Sequence, residues 1–122
     1  MSGCILPGTD ISQTGFGYTM SLISGKYKMA VLYLLSEQSA IRYNQLKRSL
    51  GKASHKTLST TLKQLELGGL ILRNEYNQIP PKVEYSLSDR GSSLVPILHS
   101  MCAWGECNKP AECSAEHLPF IL

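Results

Sequence analysis

Four cysteines and three histidines are the side chains of this chain most suited to chemistry: Cys4, Cys102, Cys107 and Cys113, with His55, His99 and His117. A tetrahedral metal site needs four such ligands at short, paired spacings. His99 and Cys102 share a helical spacing of three, and Cys107, Cys113 and His117 follow, yet no Cys-x-x-Cys pair occurs. No metal site and no cofactor are expected. The sequence also has no phosphate-binding glycine loop, no metalloprotease or nucleophile-elbow motif, and no paired carboxylates near a histidine. These absences make an enzyme the poorer expectation, and 122 residues leave little room for a catalytic cleft beside its scaffold.

The second chemically capable set is cationic. From Lys26 to Lys82 there are ten basic residues against Glu37, Glu66 and Glu75, although the net charge of the whole chain is only +3. A basic middle and a more acidic remainder are what a surface facing a polyanion would need. The opening MSGCILPGTD lacks a basic start followed by a long apolar run, and no apolar stretch is long enough to span a bilayer. The expectation is a cytoplasmic protein without a membrane partner, its cysteines reduced by default.

These charges must be carried by elements whose order is set by the apolar periodicity of the chain. Residues 1–17, rich in glycine and hydroxyls, read as a flexible N-terminal arm. Residues 18–87 read as one unit. It begins with a short helix from Tyr18, a break at Gly25 and a helix to about Leu35. Tyr43, Leu46 and Leu50 then mark one face of a third helix, with Asn44 as its expected cap. After the turn at Gly51, Ser54 caps a fourth, whose Leu58, Leu62 and Leu65 align before Gly68-Gly69 end it. Two helices joined by a short glycine-containing turn are a helix-turn-helix signature.

Beyond Gly69 the period changes to that of strands, over Leu70–Tyr76 and Val83–Leu87, and Pro80-Pro81 in the connection cannot donate to a ladder. The fold class that follows is mainly α with a small β-hairpin, a winged helix-turn-helix plus a C-terminal helix. That helix, residues 88–108, starts after Ser88 and bends at Pro96. Its Leu94, Ile97, Leu98, Met101 and Trp104 form a stripe for which a symmetric partner is the economical cover, making a homodimer. Residues 109–122 read as a tail.

Several stretches together resemble the HxlR family of transcription factors: Ile23-Ser24-Gly25-Lys26-Tyr27-Lys28, Arg42-Tyr43-Asn44-Gln45-Leu46-Lys47-Arg48, and Ser54-His55-Lys56-Thr57-Leu58. Leu62-Lys63-Gln64-Leu65-Glu66, Pro80-Pro81-Lys82-Val83-Glu84-Tyr85-Ser86-Leu87, Asp89-Arg90-Gly91 and Ala103-Trp104-Gly105 continue the match in the same order. The resemblance, running from Tyr18 to Gly105, implies a dimeric regulator that binds a pseudo-palindromic double-stranded DNA operator, most often as a repressor.

The second helix of such a motif enters the major groove. With its leucines turned inward, Ser54, His55, Lys56, Ser59, Thr60 and Lys63 are the expected groove-facing residues. Asn44, Lys47 and Arg48 are expected on the phosphate backbone, and Asn77, Gln78 and Lys82 on the flanking groove from the wing. The family includes thiol sensors with a Cys-Pro ahead of the first helix, but here Thr14-Gly15 occupy those positions. The resemblance leaves a looser arrangement, in which Cys4 pairs with Cys102 or Cys107 of a partner subunit, with an oxidant or electrophile as the signal. A non-redox small-molecule effector is an alternative, as is a winged helix used for protein–protein contact without DNA.

Overall fold

The computed structural model describes residues 6–110, which build around one hydrophobic core. Helices α1 (Gly15–Ile23) and α2 (Lys28–Glu37) come first. A short strand β1 (Ile41–Arg42) then leads into α3 (Tyr43–Ser49) and α4 (His55–Leu67). The hairpin β2 (Ile71–Tyr76) and β3 (Lys82–Leu87) precedes α5 (Asp89–Ser92) and α6 (Val95–Asn108). The strands form an antiparallel sheet of order β1-β3-β2, with Ile41 opposite Tyr85 and Ile71 opposite Leu87. The mainly helical winged helix-turn-helix read from the sequence is the fold observed.

The core is where the apolar periodicities converge. Val31, Leu32, Leu46, Leu58, Leu62, Leu65, Leu70 and Ile71 are all essentially inaccessible to solvent. Each such side chain stabilises the fold by about 1.5–3 kcal/mol relative to an exposed one. Local signals fix the helix ends that hold them. Ser54 Oγ accepts from the Thr57 N–H at 3.0 Å, so α4 starts where a side chain satisfies a free amide. At its other end Gly69 adopts φ +78, the Gly69 N–H donates to the Glu66 carbonyl, and the Leu70 N–H donates to Leu65. That Schellman closure buries Leu65 and Leu70 together and turns the chain into β2.

Four expectations are corrected. The arm expected over 1–17 is structured from residue 10 onward. Asp10 Oδ1 accepts from the Ser12 N–H to start a 3-10 turn over Ile11–Gln13, and Thr14 Oγ1 accepts from the Gly17 N–H to start α1. The Asp10 carboxylate and the Thr14 hydroxyl act here as caps, and Gly15 and Gly17 fall in the first turn of α1. Asn44 is not a cap, because α3 begins two residues earlier than expected: Arg42 is the N-cap, and its backbone N–H donates to Gln45 Oε1 at 3.2 Å.

The segment after β3 is two helices rather than one bent at Pro96. Ser88 Oγ caps α5, and Pro96 sits in the first turn of α6, where its missing N–H costs nothing. Finally, Leu98 does not belong to an outward stripe. It is 4% exposed and part of this chain's own core, and Leu94 packs beside it.

Candidate nucleic-acid interface

The buried edge of α4 determines what its other side can present. With Leu58, Thr61, Leu62 and Leu65 turned into the core, His55, Lys56, Ser59, Thr60 and Lys63 all lie exposed. The helix carries two cations, two hydroxyls and an imidazole along one side, and no acid until Glu66. Lysine ammonium groups and hydroxyls of this kind can reach guanine O6 and N7, other base edges or phosphate oxygens. Ser54, expected as a contact, is occupied locally: its Oγ accepts from the Thr57 N–H and donates to Thr57 Oγ1 at 3.0 Å.

His55 is not a free side chain. Its ring stacks on Tyr43 with centroids 5.8 Å apart, and Nδ1 lies 3.0 Å from the Tyr43 hydroxyl. The first residue of α3 therefore orients the first residue of α4. The apolar spacing of Tyr43 marked it as a core residue, and nothing in the sequence pointed to its polar end. On α3, Asn44 and Arg48 are exposed and Lys47 is half-buried. Lys52, in the turn between the two helices, is a further exposed cation of the basic middle of the chain.

On the wing, Asn77 and Gln78 are exposed at the connection between β2 and β3. Lys82 is differently placed from the free cation expected. Its Nζ is 3.3 Å from Glu84 Oε2 and 4.8 Å from the centre of the Tyr76 ring, so its charge is engaged within the hairpin. Arg73 is engaged likewise. The Tyr85 hydroxyl, and secondarily the Glu75 carboxylate at 2.9 Å, hold its proton more firmly than usual.

The remaining candidates lie on α6. Ile97, Met101 and Trp104 are exposed at spacings of four and three, a single outward face that excludes Leu98. Cys102 and Cys107 are exposed free thiols, whereas Cys4, Cys113 and His117 lie outside the described residues. Cys102 neighbours Tyr33 on α2. Negative charge on that sulfur, with burial a smaller cause, raises the Tyr33 pKa above its usual 10.0. Among the described residues no three His, Cys, Asp or Glu side chains are grouped to hold a metal ion, and no helix is long and apolar enough to cross a membrane.

The same arrangement recurs in known proteins. The HxlR-like helix-turn-helix family profile matches residues 22–113. An uncharacterised helix-turn-helix-type transcriptional regulator of Halalkalibacterium halodurans is 54% identical over 100 residues, covering 82% of this chain and 88% of the relative. The uncharacterised regulator YdzF of Bacillus subtilis is 53% identical over 93 residues, covering 76% and 85%. Among solved structures, the redox regulator HypR in its oxidised form aligns with a TM-score of 0.74 at 35% identity, over 80% of this chain and 100% of that one. The putative helix-turn-helix-type regulator ytcD aligns at 0.73 and 40% identity, over 78% and 96%. The family profile over most of the chain, together with relatives more than half identical over most of both lengths, places the chain in the HxlR-like helix-turn-helix family as a DNA-binding transcriptional regulator.

Proposed function

We propose that the protein binds a pseudo-palindromic operator in the cytoplasm as a homodimer, represses the gene it covers by occupancy rather than catalysis, and releases DNA when a thiol signal arrives. The observation that carries the reading is the exposed row His55, Lys56, Ser59, Thr60 and Lys63, backed by a leucine edge that leaves α4 no other orientation. Asn44, Lys47, Arg48 and Lys52 would hold the phosphates beside it.

The homodimer is supported by the outward Ile97, Met101 and Trp104 face, which a symmetric copy could cover with the same residues. The redox part is supported by the exposed thiols of Cys102 and Cys107 and by likeness to HypR, a redox regulator. A second signal is favoured by one observation. Leu35, Ser36, Glu37, Gln38 and Ser39 at the end of α2, with Leu87, Ser92 and Val95 opposite, line an open groove of about 400 Å³, roomy enough for a small polar effector.

The test is a footprint on the DNA upstream of the protein's own and neighbouring genes, repeated with diamide and with a quinone. Two protected half-sites about 34–36 Å apart, or a multiple of that, are expected for a two-fold dimer. Protection should be lost on oxidation. A protein that leaves every such fragment unprotected at low salt is not this regulator.

A further inference from the structure

Ile79, at the tip of the wing, is 98% exposed, the most accessible large apolar side chain among the described residues. Single apolar residues on a surface are ordinary. This one is set apart by its surroundings. The connection reads Asn77-Gln78-Ile79-Pro80-Pro81, all exposed and without a charge, and the prolines bar it from pairing as a sheet edge.

The nearest cation, Lys82, is drawn back onto Tyr76 and Glu84. A wing tip that grips phosphates would keep that ammonium free. Instead the tip combines two amide side chains with an isoleucine and prolines, the two residue classes that minor-groove proteins use. Amides read the groove-floor acceptors, and apolar wedges part a base step. The strand carrying this tip follows α4 directly and packs against it, so a duplex seated on α4 runs beside the wing.

We propose that, where the wing meets the groove flanking the α4 site, Ile79, stiffened by Pro80, wedges against a base step and bends the duplex beside the contacts already expected of Asn77 and Gln78. The inference rests on the DNA-binding face proposed above and adds a specificity term to it. Flexible pyrimidine–purine steps open at lower cost than stiff A-tracts, so the protein would discriminate between sequences at positions α4 does not touch.

The test uses the full-length chain and a duplex that the parent protein selects from a randomised pool, with a donor and an acceptor dye at its ends. Binding of the parent should shorten the end-to-end distance. Ile79→Ala, a change at a solvent-exposed site, should abolish most of that shortening and weaken binding about tenfold. Replacing the pyrimidine–purine step beneath the wing with an A-tract should weaken the parent and leave Ile79→Ala nearly unaffected.

Ile79→Lys should bind with a salt slope steeper by about one unit, on an unbent duplex. A parent that bends nothing, or an Ile79→Ala variant that bends and binds as the parent does, overturns the wedge. If Lys63→Ala still weakens binding in that case, the α4 face stands. A parent that selects no duplex overturns both readings.

Discussion

The hydroxyl of Tyr43, the first residue of α3, lies 3.0 Å from Nδ1 of His55, the first residue of α4, and the two rings stack at an interplanar angle of 16°. One tyrosine thus joins the two helices of the motif at their N-termini and fixes the imidazole, leaving Nε2 as its remaining polar atom. Tyr43→Phe keeps the stack and removes the hydrogen bond. DNA affinity is expected to fall by about two- to fivefold, the range of one modest hydrogen bond, with little change in melting temperature. Binding isotherms and thermal melts on the same preparation check this, and an unchanged isotherm would mean that the hydroxyl positions nothing.

Lys56 and Lys63 occupy the same exposed side of α4, the first in its opening turn and the second two turns on. Lys63→Ala should weaken binding to all duplexes alike and lower the slope of log affinity against log salt by about one unit. Lys56→Ala should additionally change the ranking of duplex sequences. Salt titrations on two unrelated duplexes separate these outcomes.

Gly91 sits where α5 crosses the start of β2. A Cβ there would run into the carbonyl oxygen of Leu70 and press on Leu87 Cδ2 at 3.2 Å. Neither backbone can withdraw without disturbing the bond from the Ser88 N–H to the Leu70 carbonyl. Gly91→Ala is expected to destabilise the fold by about 2–4 kcal/mol, against the slight gain a helical Gly→Ala change usually brings. Urea denaturation measures it directly.

Leu98 and Trp104 lie on the same helix with opposite fates, 4% and 70% exposed. Leu98→Ala should cost about 2–5 kcal/mol of folding stability through the cavity it leaves. Trp104→Ala should leave the fold of the subunit intact and shift the sedimentation profile toward monomer. Should Trp104→Ala sediment as the parent does, the outward face of α6 is not what joins two subunits.

Tyr33 holds its proton more tightly in the fold than in the unfolded chain, chiefly because of charge on Cys102. A folded pKa above the unfolded one contributes stability that is complete below the usual value of 10.0 and is lost as pH rises through the raised value. Cys102→Ser removes that neighbouring charge. It should move the Tyr33 titration back toward the usual value and soften the alkaline loss of stability, as read by tyrosinate absorbance and by melts at rising pH. Identical alkaline titrations of parent and variant would dissociate the two groups.

What the sequence determined by itself was whatever short-range physics decides. The spacing of Leu58, Leu62 and Leu65, the cap at Ser54 and the stop at Gly68-Gly69 are properties of consecutive residues, and each describes α4 as it is found. The change of period after Gly69 and the prolines of the connection made the hairpin equally legible. Because burial of three leucines leaves a helix only one outward side, the candidate groove-facing residues followed as well.

Tertiary structure decided the rest, because partners distant in sequence were competing for the same side chains. Only the fold brings Tyr43 to His55, and only the hairpin register brings Lys82 beside Glu84 and over Tyr76, withdrawing a cation that the sequence offered to DNA. The stripe on α6 was ambiguous for the same reason. An apolar period says that a face must be covered but not by what, and packing against α2 took Leu98 for the subunit's own core while leaving Ile97, Met101 and Trp104 outside.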